Sequence, residues 1–131
     1  MCSSDLSGAA LTAYGDGLQT RDYVFVEDVA RANLLAAEAS LALPVRLDDR
    51  GFNIGTGVET TVIGLADELQ RAAGVTLPLQ HAPARPGEQR RSCLAHAKAA
   101  DILGWTPRVS LSDGLAATLE YFRTEATRAP A

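Results

Sequence analysis

YGDGLQTRDYVFVEDVARANLLAAEA, residues 14–39, sets a glycine turn, an Arg-Asp pair, a short apolar run and a helical pattern one after another. Asp22 to Val26 (DYVFV) is β-branched and aromatic and bounded by polar residues, which predicts a buried strand. Glu27 and Asp28 end the run, and Asp28 suits the N-cap of the next element. Val29, Ala32, Leu35, Ala36 and Ala39 then recur at helical spacing, so one apolar stripe is available to lie on a sheet. A strand running directly into such a helix is the unit of an α/β fold.

The rest of the chain repeats that grammar. GFNIGTG, residues 51–57, predicts a short strand entering a glycine turn. Thr60 or Thr61 is placed to cap a helix with Val62, Leu65, Ala66, Leu69 and Ala73 on one face and Gly74 at its end. Residues 75–83 (VTLPLQHAP) predict a third extended run, at a sheet edge because Pro78 has no N–H to donate. A short helix is expected from Ala95 to Leu103, closed in Schellman fashion by Gly104 and Trp105. Ser110 suits the cap of a terminal amphipathic helix carrying Leu111, Leu115, Leu119 and Phe122, with fraying expected after Arg123. Three short strands and four helices result, an α/β arrangement with a sheet too small to be comfortable alone.

The 131 residues suffice for one domain with a sizeable core, and 47% apolar with 21% charged residues is ordinary globular composition. A net charge of −4 argues against nucleic acid or an anionic membrane as partner, since both require a basic face. Cys2 and Cys93 are too few for a disulfide framework and suit a reducing, cytoplasmic setting. No stretch is apolar enough to span a membrane, and MCSSDLSG lacks the basic start and apolar centre of a signal peptide.

Several residues carry candidate chemistry. Arg21, between a polar turn and the expected strand, is suited to fork onto a phosphate; the plainer alternative is a surface ion pair with Asp22 or Asp16. Arg85 precedes the turn-forming Pro86-Gly87, which would aim it and Glu88 at one ligand, although Arg85, Arg90 and Arg91 could equally form a solvated basic loop. The GTGVET segment looks like a phosphate cradle, but the third glycine of a dinucleotide fingerprint is replaced by Thr60, and a structural turn is favoured. His81 and His96 stand without a second ligand at metal spacing.

The succession of YGDGLQTRDYVFVEDVARA, FNIGTGVETTVIGLADEL and ARPGEQRRSCLAHAKAADILGWTPRVSLSDGLAATLEYFR resembles the C-terminal, substrate-binding part of the NAD-dependent epimerase/dehydratase family, the extended Rossmann-type short-chain dehydrogenases. The likeness runs from about residue 8 to 125, with residues 1–7 unmatched and 126–131 a frayed tail. Within the family it is nearest the UDP-glucose 4-epimerase branch, with dTDP-glucose dehydratases and UDP-glucuronate decarboxylases similar. The resemblance implies that Arg21 and Arg85 clasp the diphosphate of a UDP-sugar and that Glu88 meets the ribose hydroxyls. Thr12, Ala13 and Tyr14 would line the nucleobase pocket, and the GTG turn would be architectural. It further implies NAD as the hydride carrier of the parent enzyme, bound mainly by an N-terminal half, and a homodimeric parent.

Two features of the family are not in this sequence: the glycine-rich NAD fingerprint and the catalytic Tyr-x-x-x-Lys. Four residues after Tyr14, Tyr23 and Tyr121 stand Leu18, Glu27 and Glu125. Ala95 and Ala97 also replace an Asp and a Ser that often start the short helix. The expectation is therefore a truncated substrate-binding portion, inactive alone and binding no NAD. The other readings are a standalone nucleotide-binding module and a purely structural fragment.

Overall fold

A computed structural model of the chain describes residues 10–39, 48 and 50–128. Eight elements follow in chain order: β1 (Leu11–Tyr14), β2 (Thr20–Arg21), α1 (Val26–Glu38), β3 (Thr60–Thr61), α2 (Val62–Ala73), β4 (Leu79–Ala82), α3 (Ala97–Leu103) and α4 (Leu111–Arg128). The fold is α/β with four helices, as expected. Its strands make two two-stranded sheets: β1 runs parallel to β4, with Leu11 opposite Leu79 and Tyr14 opposite Ala82, and β2 runs antiparallel to β3. Residues 1–9, most of the 40–51 loop and the last three residues lie outside the described part, so the unmatched segment and Cys2 do too.

Local signals set the helix ends. Thr61 is extended, and its Oγ1 accepts the Gly64 amide at 3.0 Å, which satisfies one of the free N–H groups of the first turn of α2. Two more go to carbonyls of a neighbouring loop, Val62 N–H to Gln19 O and Ile63 N–H to Gly17 O, each at 3.1 Å. The far end is a Schellman motif: Gly74, at φ 69°, donates to Arg71 O while Val75 donates to Gln70 O. The Schellman end expected at Gly104 takes a different form. Gly104 is left-handed, but it donates to Ala100 O, and the Trp105 amide reaches one residue further back to Ala99 O. Ser110 Oγ accepts the Asp113 amide at 3.1 Å and caps α4, which continues to Arg128 rather than fraying after Arg123.

Trp105 is fully buried and anchors the core with Ala32, Ala99 and Leu103, packed on by Val24, Leu35, Ala36, Ala39, Phe52 and Ile54. The indole Nε1 donates to Asp28 O at 2.8 Å. A second layer joins α2 to α4 and β1, with Leu119 and Ala13 buried there.

Three expectations fail. Asp22 to Val26 is not a strand: the ladder stops at Arg21, Phe25 is the N-cap of α1, and Val26 is its exposed first residue. Asp28 is not the cap; it lies inside the first turn with a buried carboxylate accepting the Arg108 and Val109 amides at 2.9 and 3.0 Å. Phe52 to Ile54 forms no ladder either. The two failed strands share a reason. Apolar β-branched residues fit any packed extended segment, and only a partner strand turns one into a sheet. Conversely, β1 was not anticipated, although Thr12 and Tyr14 are exposed on one side and Ala13 buried on the other, the alternation of a half-covered strand.

Candidate nucleotide-binding cleft

The segment after β1 turns twice on left-handed glycines, Gly15 and Gly17. Gly17 is required for space as well as angle, since a Cβ there would stand 2.6 Å from Ile63 Cγ1. The Asp16 carboxylate accepts the Leu18 amide at 3.0 Å and steadies the turn. The chain then passes through Gln19 into β2, where the loop carrying Arg85–Ser92 runs alongside it: Thr20 N–H donates to Arg90 O and Ser92 N–H to Thr20 O. Two motifs about seventy residues apart are thereby laid side by side.

Their side chains meet around a cleft of about 200 Å³ whose walls include Tyr14, Asp16, Gln19, Arg85, Glu88 and Arg90. Arg21 reaches it through Glu88, with Nη2 at 3.5 Å from Oε1. The guanidinium is held independently of that contact, because Nη1 donates to Thr20 O at 2.7 Å and Gln89 O at 2.8 Å. Arg85 lies over the Tyr14 ring at 3.8 Å, a cation–π contact. Of the six residues singled out from sequence, Tyr14, Arg85 and Glu88 line the cleft and Arg21 touches Glu88. Thr12 is exposed further back along β1, and the Ala13 side chain is buried on the opposite face, 1% exposed.

Charge pairing sorts the arginines. Arg90 makes a bidentate pair with Asp16, at 2.8 and 2.7 Å, and that contact, with the Leu18 amide, pulls the carboxyl down to about 2. Arg91 grips Glu59, which also accepts from Thr20 Oγ1 and is likewise lowered to about 2. Arg85 forms no ion pair among the described residues, and Arg21 has only the long contact to Glu88. Neither surface pairing proposed for Arg21 occurs: Asp16 is taken by Arg90, and Asp22 faces elsewhere. Arg85, Arg90 and Arg91 are all exposed, as a solvated basic loop would have them, but each side chain meets a different partner: Tyr14, Asp16 and Glu59. Two cations are left with charge to spare beside one cleft.

Asp22 instead organises the scaffold. Its carboxylate accepts the Thr56 amide and hydroxyl at 2.8 and 2.6 Å, the Gly57 amide at 3.0 Å and the Leu94 amide at 3.2 Å. Burial alone would raise this carboxyl, but those four donors outweigh it and hold the carboxyl below its ordinary range. A Cβ on Gly55 would lie 2.6 Å from Asp22 Oδ2, so this glycine admits the carboxylate. The amides that a phosphate would need at the GTG turn are thus already occupied by a resident anion. The GTG turn is therefore filled by the Asp22 carboxylate rather than open to an added anion. Among the described residues no group of His, Cys, Asp or Glu converges to hold a metal. No described helix is long and apolar enough to cross a membrane.

A larger groove, about 420 Å³, runs past Tyr23, Val58, Pro107 and Val109. Its walls are mostly apolar and bring no two opposed charges together, so chemistry rather than size selects the smaller cleft. Sequence reasoning missed Gln19, only 5% exposed, whose Nε2 donates to Tyr14 O at 3.0 Å and approaches Glu88 Oε2 at 3.5 Å. Nothing in its neighbours signals burial, which follows from the loop packed across it.

A family model described as GDP-mannose 4,6 dehydratase matches residues 4–118. The chain belongs to that family. Among its relatives, UDP-glucose 4-epimerase of Mycolicibacterium smegmatis is 41% identical over 120 residues, 92% of this chain and 36% of the relative. A dTDP-glucose 4,6-dehydratase of Streptomyces niveus is 33% identical over 90% of this chain and 34% of its own. The crystal structure of UDP-glucose 4-epimerase with UDP-glucose from Thermotoga maritima superposes with a TM-score of 0.82 at 42% identity, covering 94% of this chain and 38% of that one. UDP-glucuronic acid 4-epimerase from Bacillus cereus, solved with UDP-glucuronic acid and NAD, gives 0.83 at 29% identity over 93% and 38%. The chain spans about a third of the length of the curated relatives it matches. These relatives bear out the epimerase/dehydratase resemblance carried by the three motifs.

Proposed function

We propose that this chain is the UDP-sugar-binding portion of an NAD-dependent epimerase of the UDP-glucose 4-epimerase type. The observation that carries the reading is the meeting of Arg21, Arg85 and Glu88 at one cleft in which the other arginine, Arg90, is neutralised. A diphosphate is an anion with several acceptor oxygens, and two guanidinium groups approaching from different segments suit it as forks. Glu88, displaced from Arg21 by the phosphate, becomes free to accept from the two ribose hydroxyls. Tyr14, under Arg85 at the mouth of the cleft, offers a ring face to the nucleobase; Thr12 and Ala13 contribute the strand that carries it. NAD, the homodimer and the cytoplasmic setting belong in this reading to the whole enzyme.

Binding is tested by calorimetry with UDP on the wild type and on Arg21→Ala/Arg85→Ala. With both charge-assisted contacts removed, the double variant is expected to bind roughly a hundredfold more weakly. Equal affinity of the two proteins would remove the clamp. The described residues supply grip and orientation but no positioned base, so the isolated chain is expected to leave UDP-galactose unchanged with NAD added. Turnover in a coupled UDP-glucose assay would contradict that.

A further inference from the structure

We infer that Gln19 is a positioning residue that makes the cleft select a ribose over a 2′-deoxyribose. The inference rests on the reading of Glu88 as the ribose partner and adds the group that keeps Glu88 in place. Gln19 and Asp28 are the two buried polar side chains among the described residues, and Asp28 is accounted for by the amides it caps. Gln19 is sunk in the wall of the cleft, and its backbone is pinned from behind by the first turn of α2 through Val62 N–H. A buried amide is costly unless its hydrogen bonds are made. Its Nε2 meets two acceptors, Tyr14 O at 3.0 Å and Glu88 Oε2 at 3.5 Å.

The Glu88 carboxylate is therefore held from both sides, Oε1 by the Arg21 cation and Oε2 by the neutral Gln19 amide. A diphosphate competes for the first contact and not for the second. Arg21 stays where it is, on the Thr20 and Gln89 carbonyls, while Oε1 is released. Gln19 is then the donor that remains, and it keeps the carboxylate turned to the sugar. Without it Glu88 rotates freely once ligand enters, and the 2′-hydroxyl is no longer read.

The test compares UDP with 2′-deoxy-UDP by calorimetry on the wild type, Gln19→Met and Gln19→Glu. A site built to hydrogen-bond a hydroxyl rejects the analogue without it, so a wild-type preference of about tenfold for UDP is expected. Gln19→Met, similar in length but without a donor, should bring that preference below about twofold while 2′-deoxy-UDP binds nearly as in the wild type. If Gln19→Met does not melt cooperatively, Gln19→Glu, which keeps a polar group but repels Glu88, is expected to show the same loss of preference. An unchanged preference, or an equal fall for both nucleotides, overturns the role of Gln19 and leaves the arginine clamp standing. A wild type that binds UDP without preference does the same, whereas one that does not bind UDP removes clamp and positioning residue together.

Discussion

Trp105→Ala is expected to lower the free energy of unfolding by about 4 kcal/mol, the usual cost of truncating a large buried aromatic side chain. The indole is wholly enclosed, and it is the largest fully buried side chain among the described residues. Its removal leaves a hole bounded by Ala32, Ala99 and Leu103, short residues on helices α1 and α3 that cannot fill the space. The Asp28 carbonyl also loses the indole N–H. With total stabilities of about 5–15 kcal/mol typical of single domains, such a loss moves the chain to the edge of folding. Urea titration followed by far-UV circular dichroism measures it. Trp105→Phe is expected to cost less than the alanine variant, since it keeps most of the ring volume while removing the indole N–H donor. A loss below about 1 kcal/mol in the alanine variant would mean that Trp105 is not the centre of the core.

The second large effect is expected at Asp28. Its carboxylate is the buried anion that ties the first turn of α1 to the segment entering α4, accepting from Arg108 N–H, Val109 N–H and, at 2.7 Å, Arg31. Asp28→Ala strands two amides and leaves the half-buried Arg31 guanidinium with the Thr106 carbonyl but no counter-charge, a loss of about 3 kcal/mol. Asp28→Asn, which retains one acceptor oxygen, should cost less. Burial on its own would raise the Asp28 carboxyl, yet Arg31 and the two amides outweigh it and the folded pKa lies below the ordinary 3.8. A lowered folded value means that the contribution is complete above the unfolded pKa and is lost as pH falls through the folded one. Wild-type stability should accordingly drop on acidification below about pH 4, and the drop should be smaller in Asp28→Asn. Denaturant midpoints across pH 2–6 supply the check, and identical slopes for the two proteins would assign the acid sensitivity elsewhere.

What the sequence disclosed depended on how far each residue's partner lay along the chain. Thr61, Gly74, Gly104 and Ser110 were readable because a cap bonds within a few residues, and so the chemistry is written locally. The strands were harder. Asp22 to Val26 has the right residues for a strand, but its first carboxylate gathers amides from residues 56, 57 and 94, and its last residue starts a helix. Asp28 suited a cap by type and spacing, and no local signal points to amides eighty positions away. The cleft divides the same way. Arg21, Arg85 and Glu88 were legible as motif residues, and Tyr14 as the end of a run before a turn. Gln19 was not, because its burial is created by a loop that arrives from residues 85–92.

The Asp22 carboxylate joins partners 34 and 72 positions further along the chain. Closing loops of that length costs entropy before any bond rewards it, and contacts of that range slow folding. The set of donors that holds Asp22, next to Arg21, is therefore complete only when residue 94 is in place. A chain ending short of residue 94 would keep the Thr56 and Gly57 donors to Asp22 but lose the Leu94 amide, the contact that ties the strip beside Arg21 to the segment leading into α3.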